Sequence, residues 1–84
     1  MMSNDKGLRD APVKIGTKQT MRMVELGRAE EVYVAENADP RLTSKIVALC
    51  NQHAVKVTYV DTMANLGKAC GIEVGAAMAA IVKS

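Results

Sequence analysis

Residues 31–53 read EVYVAENADPRLTSKIVALCNQH, and this stretch decides the fold class. Glu31–Ala35 is rich in β-branched and aromatic residues, which favours a strand. Asp39-Pro40 is typical of a helix start, because aspartate caps free amides and proline fits the first turn. The next positions recur at the spacing of one helix face: Leu42, Ile46, Leu49 and His53. A strand followed by an amphipathic helix is therefore predicted here.

Strands and helices alternate on both sides of this stretch. The further predicted strands are Asp10–Gly16, Val55–Val60 and Ala76–Val82; the further helices are Thr17–Leu26, closed by Gly27, and Thr62 to about Leu66, capped by Asp61. The small and β-branched residues of the last strand predict burial on both of its faces. This alternation predicts an α/β layered sandwich with about four strands, in an order that the sequence does not give.

Composition limits the functional classes. The 84 residues are 49% hydrophobic and 24% charged, which is typical of a folded domain and not of a disordered chain. The net charge is only +2, so any nucleic-acid contact must come from local clusters of charge. Tyr33 and Tyr59 are the only aromatic residues. Because modules for single-stranded nucleic acid stack bases on aromatic side chains, that class is disfavoured.

The sequence also predicts where the protein resides. Its first residues contain no apolar signal-peptide core, and no apolar run approaches the length of a membrane helix. Cys50 and Cys70 stand far apart without a CxxC motif, which favours free thiols in a reducing compartment. We therefore expect a cytoplasmic protein with no membrane partner.

The first candidate site lies where the first strand meets its helix, at Gly16-Thr17-Lys18-Gln19. Thr17 is the expected N-cap, and the free amides of a helix start suit a phosphate or a base acceptor. Arg22 follows Lys18 by one turn, and Lys14 precedes the segment. Together they predict a polar, cationic helix tip. The alternative is a capped surface helix whose charges are only solvated.

The second candidate site is residues 66–75, LGKACGIEVG, in which three glycines recur at four-residue spacing. Gly71 and Gly75 bracket Ile72 and Val74. A loop that presents aliphatic side chains between glycines can lie against an extruded base or a sugar. The alternative is that Ile72 and Val74 simply begin the last strand. The spacing does not match GxGxxG or a P-loop, so a phosphate cofactor is not predicted.

Catalytic and metal sites have little support. His53, the single histidine, falls on the apolar stripe of its helix and is expected to be packed there. Cys50, His53 and Cys70 lack the paired spacing of zinc ligands. We therefore predict no catalytic residue, no metal, no cofactor and no small-molecule substrate.

Four blocks together resemble a known family: GTKQ, TMRMVELG, VYVAENADP and LGKACGIEVGAAMAAI. In this order and at these intervals, from about Val13 to Val82, they resemble the ribosomal protein 7Ae/30e family, and its short bacterial members above all. The resemblance implies a three-layer α-β-α sandwich with a small mixed sheet. It also implies binding to kink-turns, which are RNA stems bent at a three-nucleotide bulge beside tandem sheared G·A pairs.

The resemblance also assigns roles to both candidate sites. The helix tip of the family enters the major groove, and here Lys18, Gln19 and Arg22 stand where archaeal members have Asn, Glu and Lys. Gln19 can both donate and accept, whereas a carboxylate only accepts. The family's second segment covers the bulge bases and maps to Ile72, Glu73 and Val74. The full expected RNA-binding set is Lys14, Gly16, Thr17, Lys18, Gln19, Arg22, Lys68, Ile72, Glu73 and Val74.

These expectations combine into one functional hypothesis. Residues 1–84 are expected to form a single kink-turn-binding domain, with residues 1–10 poorly ordered or in a short helix. The expected partner is a structured RNA that contains a kink-turn, in ribosomal or other RNA, and the ribosome is a further candidate partner. The alternative is a ribosome-associated scaffold that binds proteins without kink-turn selectivity.

Overall fold

The computed structural model describes residues 12–83, in which four strands alternate with three helices. The elements are β1 (Val13–Ile15), α1 (Thr17–Glu25), β2 (Ala29–Ala35), α2 (Pro40–Gln52), β3 (Lys56–Val60), α3 (Met63–Cys70) and β4 (Met78–Val82). The expectation for residues 1–10 lies outside the described residues. The predicted alternation of strands and helices is confirmed over the part that is described.

The four strands form one mixed sheet in the order β1-β4-β2-β3. Strand β4 pairs antiparallel with both β1 and β2, and β2 pairs parallel with β3. The beginning of β4 therefore lies at the same end of the sheet as the ends of the other three strands. Four connecting segments consequently meet at one end of the sheet, which we call the loop end: Gly16, residues 36–39, residues 61–62 and residues 71–77.

Helices cover both faces of this sheet, so the predicted three-layer sandwich is confirmed. Helices α1 and α2 pack on one face, where Val24 and Ile46 contact a buried cluster that includes Val32 and Met78. Helix α3 packs on the other face, where Leu66 joins a second cluster with Ala79. Met78, Ala79 and Ala80 are all buried, which confirms that the last strand is enclosed on both sides where it begins.

The start of α2 is the one that the sequence predicts. Asp39 is the N-cap, its carboxylate accepts from the Arg41 backbone amide at 2.9 Å, and Pro40 occupies the first turn. The Arg41 guanidinium also donates to Asp39 at 2.9 Å. These side-chain and backbone hydrogen bonds from Arg41 lower the pKa of the Asp39 carboxyl. The Asp39 carboxylate therefore stays ionised, and the positive end of the helix dipole stabilises its negative charge.

Other predicted boundaries are wrong by a few residues. Gly16, not Thr17, caps α1, and Thr62, not Asp61, caps α3 by accepting from the Asn65 amide at 3.1 Å. Helix α3 continues through Gly67 to Cys70, β2 begins two residues early at Ala29, and β4 begins two residues late at Met78. His53 is exposed because α2 ends at Gln52, so the apolar stripe of α2 ends before His53.

A buried hydroxyl in α1 leads to a stability prediction. Thr20 has 0% exposure, and its Oγ1 has no hydrogen-bond partner among residues 12–83. Thr20→Val keeps the shape of the side chain and removes the unsatisfied polar atom, so we expect the free energy of unfolding to rise by about 1 kcal/mol. Urea unfolding measures the change. Thr43→Val is the control, because the Thr43 hydroxyl already donates to the Pro40 carbonyl at 3.2 Å. A loss of stability in Thr20→Val would contradict the prediction.

Candidate nucleic-acid interface

The first part of the interface is the α1 tip, residues 16–19, whose shape depends on Gly16. Gly16 has φ +108° and ψ 159°, a backbone conformation that residues with a side chain rarely adopt. This conformation turns the chain directly from β1 into α1, and the Gly16 carbonyl accepts the first helical hydrogen bond from the Thr20 amide at 2.9 Å. No side chain among the described residues caps the helix start. The amides of the first turn are therefore available to an external acceptor.

Cationic and amide side chains surround this tip. Lys18, Gln19 and Arg22 are all exposed, and their spacings of three and four residues place them on one face of α1. Lys14 is exposed on β1, where it pairs with Ala80. Val13 and Ile15 point towards α3, so Lys14 points to the face that carries α1. Lys14, Lys18 and Arg22 are therefore all exposed on the side of the sheet that carries α1.

The second part is the aliphatic loop, residues 71–75. Gly71 ends α3 in the left-handed conformation with φ +82°, and the Ile72 amide returns to the Gly67 carbonyl at 3.0 Å. A Cβ at Gly67 would lie 2.1 Å from the Val74 carbonyl oxygen, and a Cβ at Gly75 would lie 3.2 Å from the Met63 Cβ. The loop is therefore packed directly across α3, and Gly67 and Gly75 permit the close approach.

Predicted site residues in and near this loop have different environments. Val74 is 70% exposed, and Glu73 and Lys68 are also exposed. Ile72 is half-buried and packs against the cluster beneath α3. The geometry therefore separates two tasks: Ile72 anchors the loop to the protein, while Val74 is presented to solvent.

The sheet brings the α1 tip and the aliphatic loop together. Ile15 pairs with Ala79, and the Gly16 amide donates to the Met78 carbonyl at 3.0 Å. Both segments therefore lie at the loop end, although more than 50 residues separate them in sequence. That end of the sheet therefore presents helix amides, cationic side chains and an aliphatic side chain.

Sequence reasoning missed one residue that links parts of this surface. Asn37 lies in the turn after β2, and its Oδ1 accepts from the Met63 amide at 2.8 Å. Asparagine between a strand and an Asp-Pro helix start is ordinary turn chemistry. Nothing in the local pattern indicates a partner 26 residues further along the chain.

Catalytic features are weak in the described part of the chain. Cys50 is buried and Cys70 half-buried, both are free thiols, and burial raises the pKa of each. A protonated thiol is a poor nucleophile. A groove of about 350 Å³ between α2 and β3 is lined by Thr43, Ser44, Val47, Ala48, Asn51 and Tyr59, and so contains no acid, histidine or cysteine.

The described residues contain neither a cluster of metal ligands nor a membrane-spanning helix. Between residues 12 and 83 no three histidine, cysteine or acidic side chains are grouped as metal ligands would be. No described helix is long and apolar enough to cross a membrane.

Comparisons with known proteins agree on one family. Residues 4–84 match the profile of the ribosomal protein L7Ae/L30e/S12e/Gadd45 family. The chain is 50% identical over 82 residues to RNA-binding protein YbxF of Geobacillus stearothermophilus, a match that covers 98% of this chain and 100% of the relative. It is 39% identical over 71 residues to large ribosomal subunit protein eL8 of Halobacterium salinarum, covering 83% of this chain and 59% of eL8.

A solved structure shares the fold. The 15.5kD RNA-binding protein of Giardia lamblia superposes with a TM-score of 0.81 and is 28% identical. The superposition covers 87% of this chain and 62% of the Giardia protein. The α-β-α layers described above are therefore those of a known RNA-binding protein.

Proposed function

This chain belongs to the ribosomal protein L7Ae/L30e/S12e/Gadd45 family, and from that premise we propose that it binds structured RNA by recognising and stabilising kink-turns with tandem sheared G·A pairs. The observation that carries the proposal is the placement of the α1 tip and the aliphatic loop at the same end of the sheet. Relatives of nearly the same length are named RNA-binding proteins, which supports the RNA part of the proposal.

The α1 tip is assigned to the groove that contains the G·A pairs. The backbone amides of Thr17 and Lys18 lie at the N-terminus of α1, the positive end of the helix dipole, where an RNA phosphate or base acceptor is stabilised. Gln19 can accept from a guanine amino group and donate to a ring nitrogen. Lys14, Lys18 and Arg22 neutralise backbone phosphates. This division gives the guanine edges to amide groups and the phosphates to cations.

The aliphatic loop is assigned to the nucleotides of the bulge. Val74, which is mostly exposed, packs on an unstacked base or sugar, and Ile72 holds the loop in place from below. Lys68 on α3 contributes charge near the loop, and the backbone of Glu73 presents Val74. An aliphatic contact of this kind replaces the aromatic stacking that the chain cannot provide.

The mechanism follows from selective binding to one RNA conformer. Free RNA exchanges between extended and kinked states, and a protein that binds the kinked state more tightly shifts the population towards it. A shift from mostly extended to mostly kinked requires roughly a 10⁴-fold difference in affinity between the two states. In this proposal the difference comes from the kinked RNA contacting both the α1 tip and the aliphatic loop, whereas the extended RNA contacts only one of them.

Arg22 provides a test of the phosphate contacts. Arg22→Ala should weaken binding to a kink-turn RNA by about tenfold and reduce the slope of log affinity against log salt by about one charge. Affinities measured at three or more salt concentrations give both quantities. Arg28→Ala is the matched control, because Arg28 is also exposed but lies at the opposite end of the sheet. An unchanged affinity and slope in Arg22→Ala would remove Arg22 from the interface.

The proposal extends to the whole chain. Residues 1–84 act as one RNA-binding domain in the cytoplasm, without catalytic activity, on ribosomal or other structured RNA.

The second candidate function is a ribosome-associated scaffold that binds proteins without kink-turn selectivity, and the net charge of only +2 favours it. Competition separates the two. Unlabelled kink-turn RNA should displace a labelled kink-turn at far lower concentration than an unrelated duplex does, whereas equal displacement would favour the scaffold.

A further inference from the structure

Asn37 completes the N-terminus of α3 from another part of the chain. The first amides of a helix have no partners within the helix. In α3, Thr62 Oγ1 accepts from the Asn65 amide at 3.1 Å, and Asn37 Oδ1 accepts from the Met63 amide at 2.8 Å. The turn after β2 is thereby fixed to the first residue of α3. Asn37 itself is held in that turn, since the Ala38 amide donates to the Ala35 carbonyl at 3.1 Å.

Met63 passes this constraint on to the aliphatic loop. Its amide is held by Asn37, and its carbonyl accepts from the Ala76 amide at 3.0 Å. Gly75 lies against the same residue, because a Cβ there would be 3.2 Å from the Met63 Cβ. The loop that presents Val74 therefore ends on the residue that Asn37 fixes.

We infer that Asn37 is a positioning residue for RNA binding, which holds the aliphatic loop in its binding geometry through Met63. The inference rests on the proposed function. It assigns the effect to the Oδ1 acceptor of Asn37, and not to a contact between Asn37 and RNA. Aspartate retains an acceptor oxygen at this position and alanine does not, so the two replacements have different consequences for the loop.

The first experiment examines the free protein, without RNA. Amide hydrogen exchange measured by NMR should show the Ala76 amide exchanging about tenfold faster in Asn37→Ala, because losing one hydrogen bond opens the loop locally. Asn37→Asp should restore most of the protection. Sheet amides such as those of Val32 and Val34 report any global loss of stability. Asn65→Ala is the control, because it removes an exposed amide side chain from α3 and leaves the Asn37 bond intact.

The second experiment is a pair of double-mutant cycles with a labelled kink-turn RNA. Asn37→Ala alone should weaken binding by about fivefold, as expected for one net hydrogen bond. In the presence of Val74→Ala the same change should have almost no effect, because the contact that it positions is already lost. In the presence of Arg22→Ala the fivefold loss should remain. If Asn37 only stabilised the fold, Asn37→Ala would weaken binding equally in the Val74→Ala and Arg22→Ala backgrounds.

Each contrary result is decisive. Unchanged exchange at Ala76 in Asn37→Ala, or an Asn37→Asp variant that exchanges as fast as Asn37→Ala, would overturn the positioning role. Full additivity with Val74→Ala would do the same. If the wild-type protein shows no preference for the kink-turn, the proposed function fails and the RNA part of this inference fails with it. The exchange experiment still decides whether Asn37 positions the loop.

Discussion

Gly67→Ala should destabilise the protein by about 3 kcal/mol and abolish kink-turn binding, as expected for an overpacked site that cannot relax. In an ordinary helix the same exchange is stabilising, by roughly 1 kcal/mol. In α3 the added Cβ would lie 2.1 Å from the Val74 carbonyl oxygen and 3.1 Å from its carbonyl carbon. Both atoms belong to the backbone, so no side-chain rotation can relieve the contact. The aliphatic loop must move away from α3, and Val74 moves with it.

Thermal or urea unfolding together with RNA titration measures this result. Asn65→Ala is the matched control, since it places alanine at an exposed position of the same helix, where we expect a small gain in stability and unchanged binding. If Gly67→Ala retained both its stability and its affinity, the loop would not depend on close packing against α3.

Val74→Glu should weaken RNA binding by about 100-fold, because the apolar contact is lost and the added carboxylate repels RNA phosphate. The side chain is 70% exposed, so the stability of the free protein should change little. The effect on binding can therefore be separated from any effect on folding. Affinity and unfolding measured on the same preparation test both statements.

Asn51→Glu is the control for charge. Asn51 is exposed and lines the groove between α2 and β3, so a glutamate at this position adds the same charge away from the aliphatic loop. We expect it to reduce affinity only slightly, and less as salt screens the added charge. Equal losses from Val74→Glu and Asn51→Glu would mean that overall charge matters and the loop does not.

Local signals predicted those parts of the fold whose partners are close in sequence. Asp39 caps α2 through the Arg41 amide, two residues away, so the cap is visible in the sequence itself. The alternation of strands and helices is likewise a local pattern, and it was sufficient for the layered fold class. The strand order was not predictable, because it depends on which strands pair across the sheet.

The boundaries that were wrong depend on distant contacts or on unusual backbone geometry. The sequence predicts that α3 ends near Leu66, but the helix continues through Gly67, where close packing against Val74 requires glycine. Gly16 takes the cap position through its positive φ, which makes Thr17 the first helical residue. The roles of the binding residues came from the resemblance to a family, since Lys18 and Val74 alone are ordinary surface residues.

The central claim is that the protein stabilises the kinked form of an RNA. The direct measurement is end-to-end fluorescence transfer in a labelled kink-turn RNA during titration with protein, beside a twin RNA whose G·A pairs are replaced by Watson–Crick pairs. We expect transfer to rise only for the kink-turn RNA, since only that RNA presents the guanine edges beside the bend. If both RNAs respond alike, or neither responds, the protein does not select the kinked conformer and the proposed function is wrong.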